Sequence, residues 1–189
     1  MKKNTTDFEA RCWADHKKRL AFRQMERFFQ FNDLIVSKER LHSIMSCAVQ
    51  RNRRLDEDPL MVFQFHQAVR SFVRAGYHMM LKEKKHAVGV PPGKVSAWVL
   101  GLLSEEEYRN PLLVFKKAFR EYNIREFDYF MSGIVYFSLG VYEHLPERNI
   151  INPYIHLIKM LDAAHLILER RGKSIKKTHK KISGKQKTS

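Results

Sequence analysis

A chain of 189 residues with 44% hydrophobic and 29% charged residues has enough apolar surface for one sizeable core and enough charge to stay in water. Thirteen Phe set against eight Gly and six Pro disfavour a loop-rich or all-β fold, and two cysteines, Cys12 and Cys47, outside any CxxC pair exclude a disulfide framework. The net charge is +15, and the run from Arg171 to Ser189 holds eight Lys or Arg and no acid, so a short tail carries about half of the surplus.

The N-terminus, MKKNTTDFEARCW, has no apolar stretch of the kind a secretory signal needs. The longest run without charge, Tyr129 to Tyr142, is shorter than the about 20 apolar residues that span a bilayer. The expected compartment is the reducing cytoplasm, with both cysteines as small buried thiols.

Helix-start signals recur along the chain. The first helix is expected over Asp7 to Phe31, opened by Thr6 with Glu9 as a capping box. Phe8, Trp13, Leu20, Met25, Phe28 and Phe29 form its apolar side, while Arg19, Arg23 and Arg27 follow at four-residue steps on another. A second helix runs from Asp33 or Ser37 to Arg53, and RNRRLDED then breaks the pattern. Asp58-Pro59 starts a third, to about Glu83, with Met61, Phe65, Ala68, Phe72, Gly76 and Met79 or Met80 in one stripe. Pro91-Pro92-Gly93 makes Lys82 to Lys94 the clearest internal loop.

Short helices follow over Ser96 to Leu103 and Glu105 to Arg109, the latter capped by Ser104 with Glu107. Asn110-Pro111 opens a helix to Tyr122. Asn123 with Glu126 opens the next, Ile124 to Tyr142, which is apolar on nearly every face and so belongs at the centre together with the last helix. Asn152-Pro153 opens the last, whose stripe of Tyr154, Leu157, Ile158, Leu161, Ala164, His165 and Leu168 ends at Arg171, with Gly172 as a stop signal. The fold class is therefore all-α: a single compact, bundle-like domain of six to eight helices over residues 5–172. Residues 173–189 have little apolar surface to offset the entropy of ordering and form a disordered, Lys-rich arm.

Chemistry-bearing patterns are few. Three carboxylate–His pairs have the i, i+3 spacing that metal-binding bundles use: Glu39 with His42, Glu83 with His86, and Asp162 with His165. The first two lie in charged helix ends, and the third lacks inward carboxylates on other helices, so no metal and no cofactor are expected. Arg11 and His16 are spaced so that one could hold phosphate while the other moves a proton. That spacing is common by chance, and Cys12 beside the arginine does not assist it. GxGxxG, GxxxxGK[ST], GxSxG and HExxH are all absent, and an enzyme is not the favoured reading.

The charge pattern points instead to a polyanion. Lys173, Lys176, Lys177, Lys180 and Lys181 would bind DNA or RNA through counterion release. Arg19, Arg23 and Arg27, then Arg51, Arg53 and Arg54, and finally Arg70 with Arg74 could extend that footprint onto the body. The expected function is a non-enzymatic accessory protein that associates with nucleic acid. The alternative is a helical interaction module, pairing with itself or with another protein, whose tail is incidental. The two differ in whether positive charge continues from the tail onto one face of the body. The arm lacks the bulky apolar groups and lipidation signals of a membrane anchor.

Overall fold

The computed structural model describes residues 20–50, 55–81, 101–141 and 149–185. Among these residues stand seven helices and no strand: α1 (Leu20–Phe31), α2 (Leu34–Val49), α3 (Pro59–Met80), α4 (Glu105–Arg109), α5 (Leu112–Glu121), α6 (Ile124–Ser138) and α7 (Ile151–Lys185). The all-α class and the number of helices agree with the sequence reading. The Thr6–Glu9 pair, the first part of the first predicted helix and the Lys82–Lys94 loop lie outside the described residues. So does most of the short helix expected over Ser96 to Leu103, whose last residues form a turn with Gly101 at φ 58°. No helix among the described residues is long and apolar enough to cross a membrane.

Local chemistry accounts for most helix ends. Asp58 accepts from the Leu60 amide at 2.9 Å, and Pro59 occupies the first turn of α3, where its missing N–H costs nothing. Ser104 with Glu107 and Asn123 with Glu126 each form both bonds of a capping box. Two starts differ from expectation. Asn110 closes α4, its N–H bonding the Glu106 carbonyl at 2.8 Å, so α5 begins at Leu112 without a side-chain cap. The cap of α7 is Asn149, whose Oδ1 accepts from Ile151 at 3.0 Å, which leaves Pro153 inside the first turn. The helix expected to reach Tyr142 stops at Ser138. Gly140 takes φ 73° there, and the Val141 and Gly140 amides bond back to Tyr136 and Phe137, each at 2.9 Å. Only glycine adopts that left-handed turn without strain.

The centre of the molecule is α3 with α7. Helix α3 packs on α1, α5, α6 and α7, whereas the more apolar α6 packs mainly on α2 and α3 and leaves Tyr129 exposed. One core joins Phe28, Leu41, Phe72, Phe115, Phe127, Met131, Leu157 and Leu161. Each such side chain contributes about 1.5–3 kcal/mol by leaving water. Where α3 meets α5, a Cβ on Gly76 would stand 2.6 Å from the buried Phe115 ring, so only glycine permits that approach.

The largest difference from expectation lies in α7. It passes through Gly172 and Gly184 and ends at Lys185, beyond the expected stop. A glycine costs a helix interior about 1 kcal/mol, which is not enough to end a helix already nucleated and packed over its first half. Lysines near a helix C-terminus also favour the negative end of its dipole.

Candidate polyanion-binding surface

Helices α1 and α7 run antiparallel. Phe29 meets His165 edge to face, with ring centroids 5.6 Å apart, and Phe22, nearer the start of α1, lies under the Arg171 guanidinium at 4.4 Å. The point where α7 enters its basic extension is thus held against α1. Arg23 follows Phe22 and is exposed, as is Arg27 one turn on, and neither makes an ion pair among the described residues. Glu26, also exposed, lies between them and dilutes their charge. The neighbouring Arg170 turns to the other side. It donates to the Tyr108 carbonyl at 2.7 Å and the Arg109 carbonyl at 3.3 Å, and it stacks over the Tyr108 ring at 4.8 Å. Two adjacent arginines therefore divide the work: Arg170 ties down the end of α4, and Arg171 joins the extension to α1.

Of the predicted phosphate-binding residues, Arg23 and Arg27 are exposed on α1, Arg27 on the side of α1 that meets α3 rather than α7. Lys173, Lys176, Lys177, Lys180 and Lys181 follow on the backbone of α7. Arg19, Arg51, Arg53 and Arg54 lie outside the described residues. Arg70 and Arg74 both bind Asp128, Arg70 with two contacts of 3.3 Å and Arg74 with one of 3.1 Å. The trio keeps one net positive charge and fastens α3 to α6. Lys38 is likewise spent on Asp162, at 2.9 and 3.0 Å.

In the third candidate metal spacing, Asp162 binds Lys38 and His165 packs against Phe29. His42 faces Tyr154 and Ser46, each at 3.4 Å, and Glu39 is exposed. Glu83, His86, Arg11 and His16 lie outside the described residues. No group of three His, Cys, Asp or Glu suited to a metal occurs among the described residues.

Two concave features were not foreseen. The first is an apolar groove of about 390 Å³ between the end of α1 and the first half of α3, lined by Phe28, Phe31, Met61, Phe65 and Phe72, with Arg27 and Arg40 at its rim. Phe31 is 85% exposed beside it, more than any other large apolar side chain described. The apolar side read from the sequence includes Phe28 and Phe29 and leaves Phe31 out.

The second is a polar cleft of about 430 Å³ between α5 and α7, with Glu107 of α4 in its floor. Glu107 is 2% exposed and accepts from Lys117 at 3.0 Å, Lys159 at 2.9 Å and the Ser104 amide at 2.9 Å. Burial alone would raise its pKa. The Ser104 bond and the two lysines outweigh that and bring it down to about 2. At the rim, Glu121 bonds His156 at 2.8 Å, which holds its carboxyl below the usual range. Arg120 completes the lining. The spacing Lys117, Arg120, Glu121 is the one sequence signal that could have drawn attention here.

No protein-family model, no curated protein and no solved structure matches this chain.

Proposed function

We propose that this protein is a non-enzymatic accessory protein of the cytoplasm that associates with DNA or RNA. Its contacts are the basic second half of α7, with Arg171, Arg23 and Arg27 beside it. The observation that carries this reading is the Arg171–Phe22 contact at 4.4 Å. It fixes the root of the extension against a helix that carries two further exposed arginines, Arg23 and Arg27, and this supports a footprint shared by tail and body. A helical extension spaces its lysines along a rod, and a polyanion that screens them removes the repulsion opposing the helix. Binding and helix strength then reinforce each other.

The test is a double variant, Arg23→Gln with Arg27→Gln, titrated with duplex DNA across a salt series beside the unaltered chain. Losing two phosphate contacts is expected to make the slope of log K against log salt shallower by about 1–2 units. An unchanged slope would confine binding to the tail.

The apolar groove favours a second reading, the interaction module. A Phe exposed to 85% beside an open apolar groove is what a surface awaiting a partner helix presents. This reading does not compete for Arg23 and the tail, so the two functions are compatible in one chain.

A further inference from the structure

We propose that the cleft between α5 and α7 is a binding site for the phosphate group of a small phosphomonoester, separate from the basic face above. Three fixed cations, Lys117, Arg120 and Lys159, line it against two carboxylates, Glu107 and Glu121, with Glu106 outside the lining at 3.9 Å from Lys117. Glu107 sets the position of the two lysines. Each of its oxygens takes one ammonium, from α5 at 3.0 Å and from α7 at 2.9 Å, so the pair is held on opposite walls before any ligand arrives. An ammonium has three donors, and the Glu107 bond uses one of them. The Lys117 and Lys159 side chains remain 40% and 24% exposed, so hydrogens are left for a second anion above the floor. Arg120 makes no bond among the described residues and offers a fork suited to two phosphate oxygens.

A tetrahedral group matches this layout better than a carboxylate does. Its three free oxygens can meet Lys117, Lys159 and Arg120 at once, while a carboxylate has only two oxygens to share among the three. His156, fixed by Glu121 at 2.8 Å and packed edge to face on Tyr122 at 5.8 Å, stands one turn from Lys159 on the same wall. The open side of the cleft leaves room for the remainder of an ester. Holding the donors in place beforehand reduces the cost of organising them on binding.

The experiment is an NMR-monitored titration of the full chain with inorganic phosphate and then with adenosine monophosphate, ionic strength being kept constant with chloride. The readouts are the Val114 methyls and the His156 ring, which line the cleft and lie away from the basic half of α7. Saturable shifts at both are expected. Arg120→Gln should weaken binding about tenfold or more, because a charge-assisted bond is lost. Arg125→Gln, which removes the same charge from an exposed position on α6, should leave the affinity unchanged. Saturation by the monophosphate but not by inorganic phosphate would show that the ester's remainder contributes contacts. Shifts that never saturate with either probe, or equal weakening by both variants, would overturn the proposal, since general attraction to a basic protein would then account for the binding. Thermal melts of both variants should match the unaltered chain, as neither arginine bonds a neighbour among the described residues.

Discussion

Lowering the pH from 7.5 to 5 is expected to remove about 2 kcal/mol of stability through His66 alone, rising to about 3 kcal/mol at pH 4. His66 is 1% exposed on α3, and its Nδ1 has no partner among the described residues. Its Nε2 reaches only the Ser132 hydroxyl, at 3.4 Å. Burial, reinforced by the adjacent Arg70 and only partly offset by Asp128, lowers its pKa from 6.5 to about 4. The unfolded chain therefore binds a proton near pH 6.5 that the folded chain refuses until about pH 4, and the unfolded state gains in between. His66→Leu keeps an apolar group of similar bulk without the titration. Chemical denaturation at pH 7.5 should place the variant within about 1 kcal/mol of the unaltered chain. At pH 5 it should be the more stable of the two by about 2 kcal/mol relative to that reference. Parallel pH profiles would show that His66 is accessible to protons in the native state.

Glu107 acts in the adjoining, more acid window. Its folded value of about 2 lies below the ordinary 4.5, so its contribution is complete above pH 4.5 and disappears as pH falls toward 2. A shift of that size corresponds to about 3 kcal/mol at neutral pH. Glu107→Gln retains an oxygen for the capping box but abandons the charge shared with Lys117 and Lys159. It should cost about 2–3 kcal/mol at pH 7, the lysines being exposed enough to recover water, and it should flatten the stability profile below pH 4.5. Glu107→Ala loses the cap as well and should cost about 1 kcal/mol more. If the Gln variant is as stable as the unaltered chain at pH 7 and equally acid-sensitive, the two lysine contacts do not form in solution.

These two residues show where reading the sequence succeeds and where it stops. Ser104 with Glu107, Asn123 with Glu126 and Asp58-Pro59 are local devices, and each was legible because a cap and the group it satisfies lie within three residues. The same locality misplaced the cap of α7 on Asn152, because Asn149 was equally suited and only the backbone path decides between them. Gly172 as a stop was a correct statement of propensity, overridden by a helix already packed along its first half. Assigning the centre to α6 and α7 rested on their apolar content. α7 is central, and it shares the centre with α3, which has neighbours on four sides.

Ion pairs were the least legible feature. Asp128 lies 58 and 54 residues from Arg70 and Arg74, and Lys159 lies 52 from Glu107. No spacing rule reaches that far, so arginines committed to structure looked the same as arginines open to phosphate. Arg170 and Arg171 make the point within a single dipeptide: one binds carbonyls of α4, and the other stacks on α1.

The most direct test of a phosphate-binding surface shared by tail and body is nucleic-acid affinity of residues 1–172 beside the full chain, measured between about 50 and 200 mM salt. The truncation removes seven lysines and, by leaving α7 through Gly172, keeps every side chain described as buried. The account predicts that the full chain binds more tightly by roughly two orders of magnitude at the low-salt end. It also predicts that the truncated chain retains measurable binding, with a shallower salt slope that Arg23→Gln with Arg27→Gln then abolishes. A truncated chain with no binding at any salt would contradict it and leave α1 and Arg171 as an ordinary solvated face.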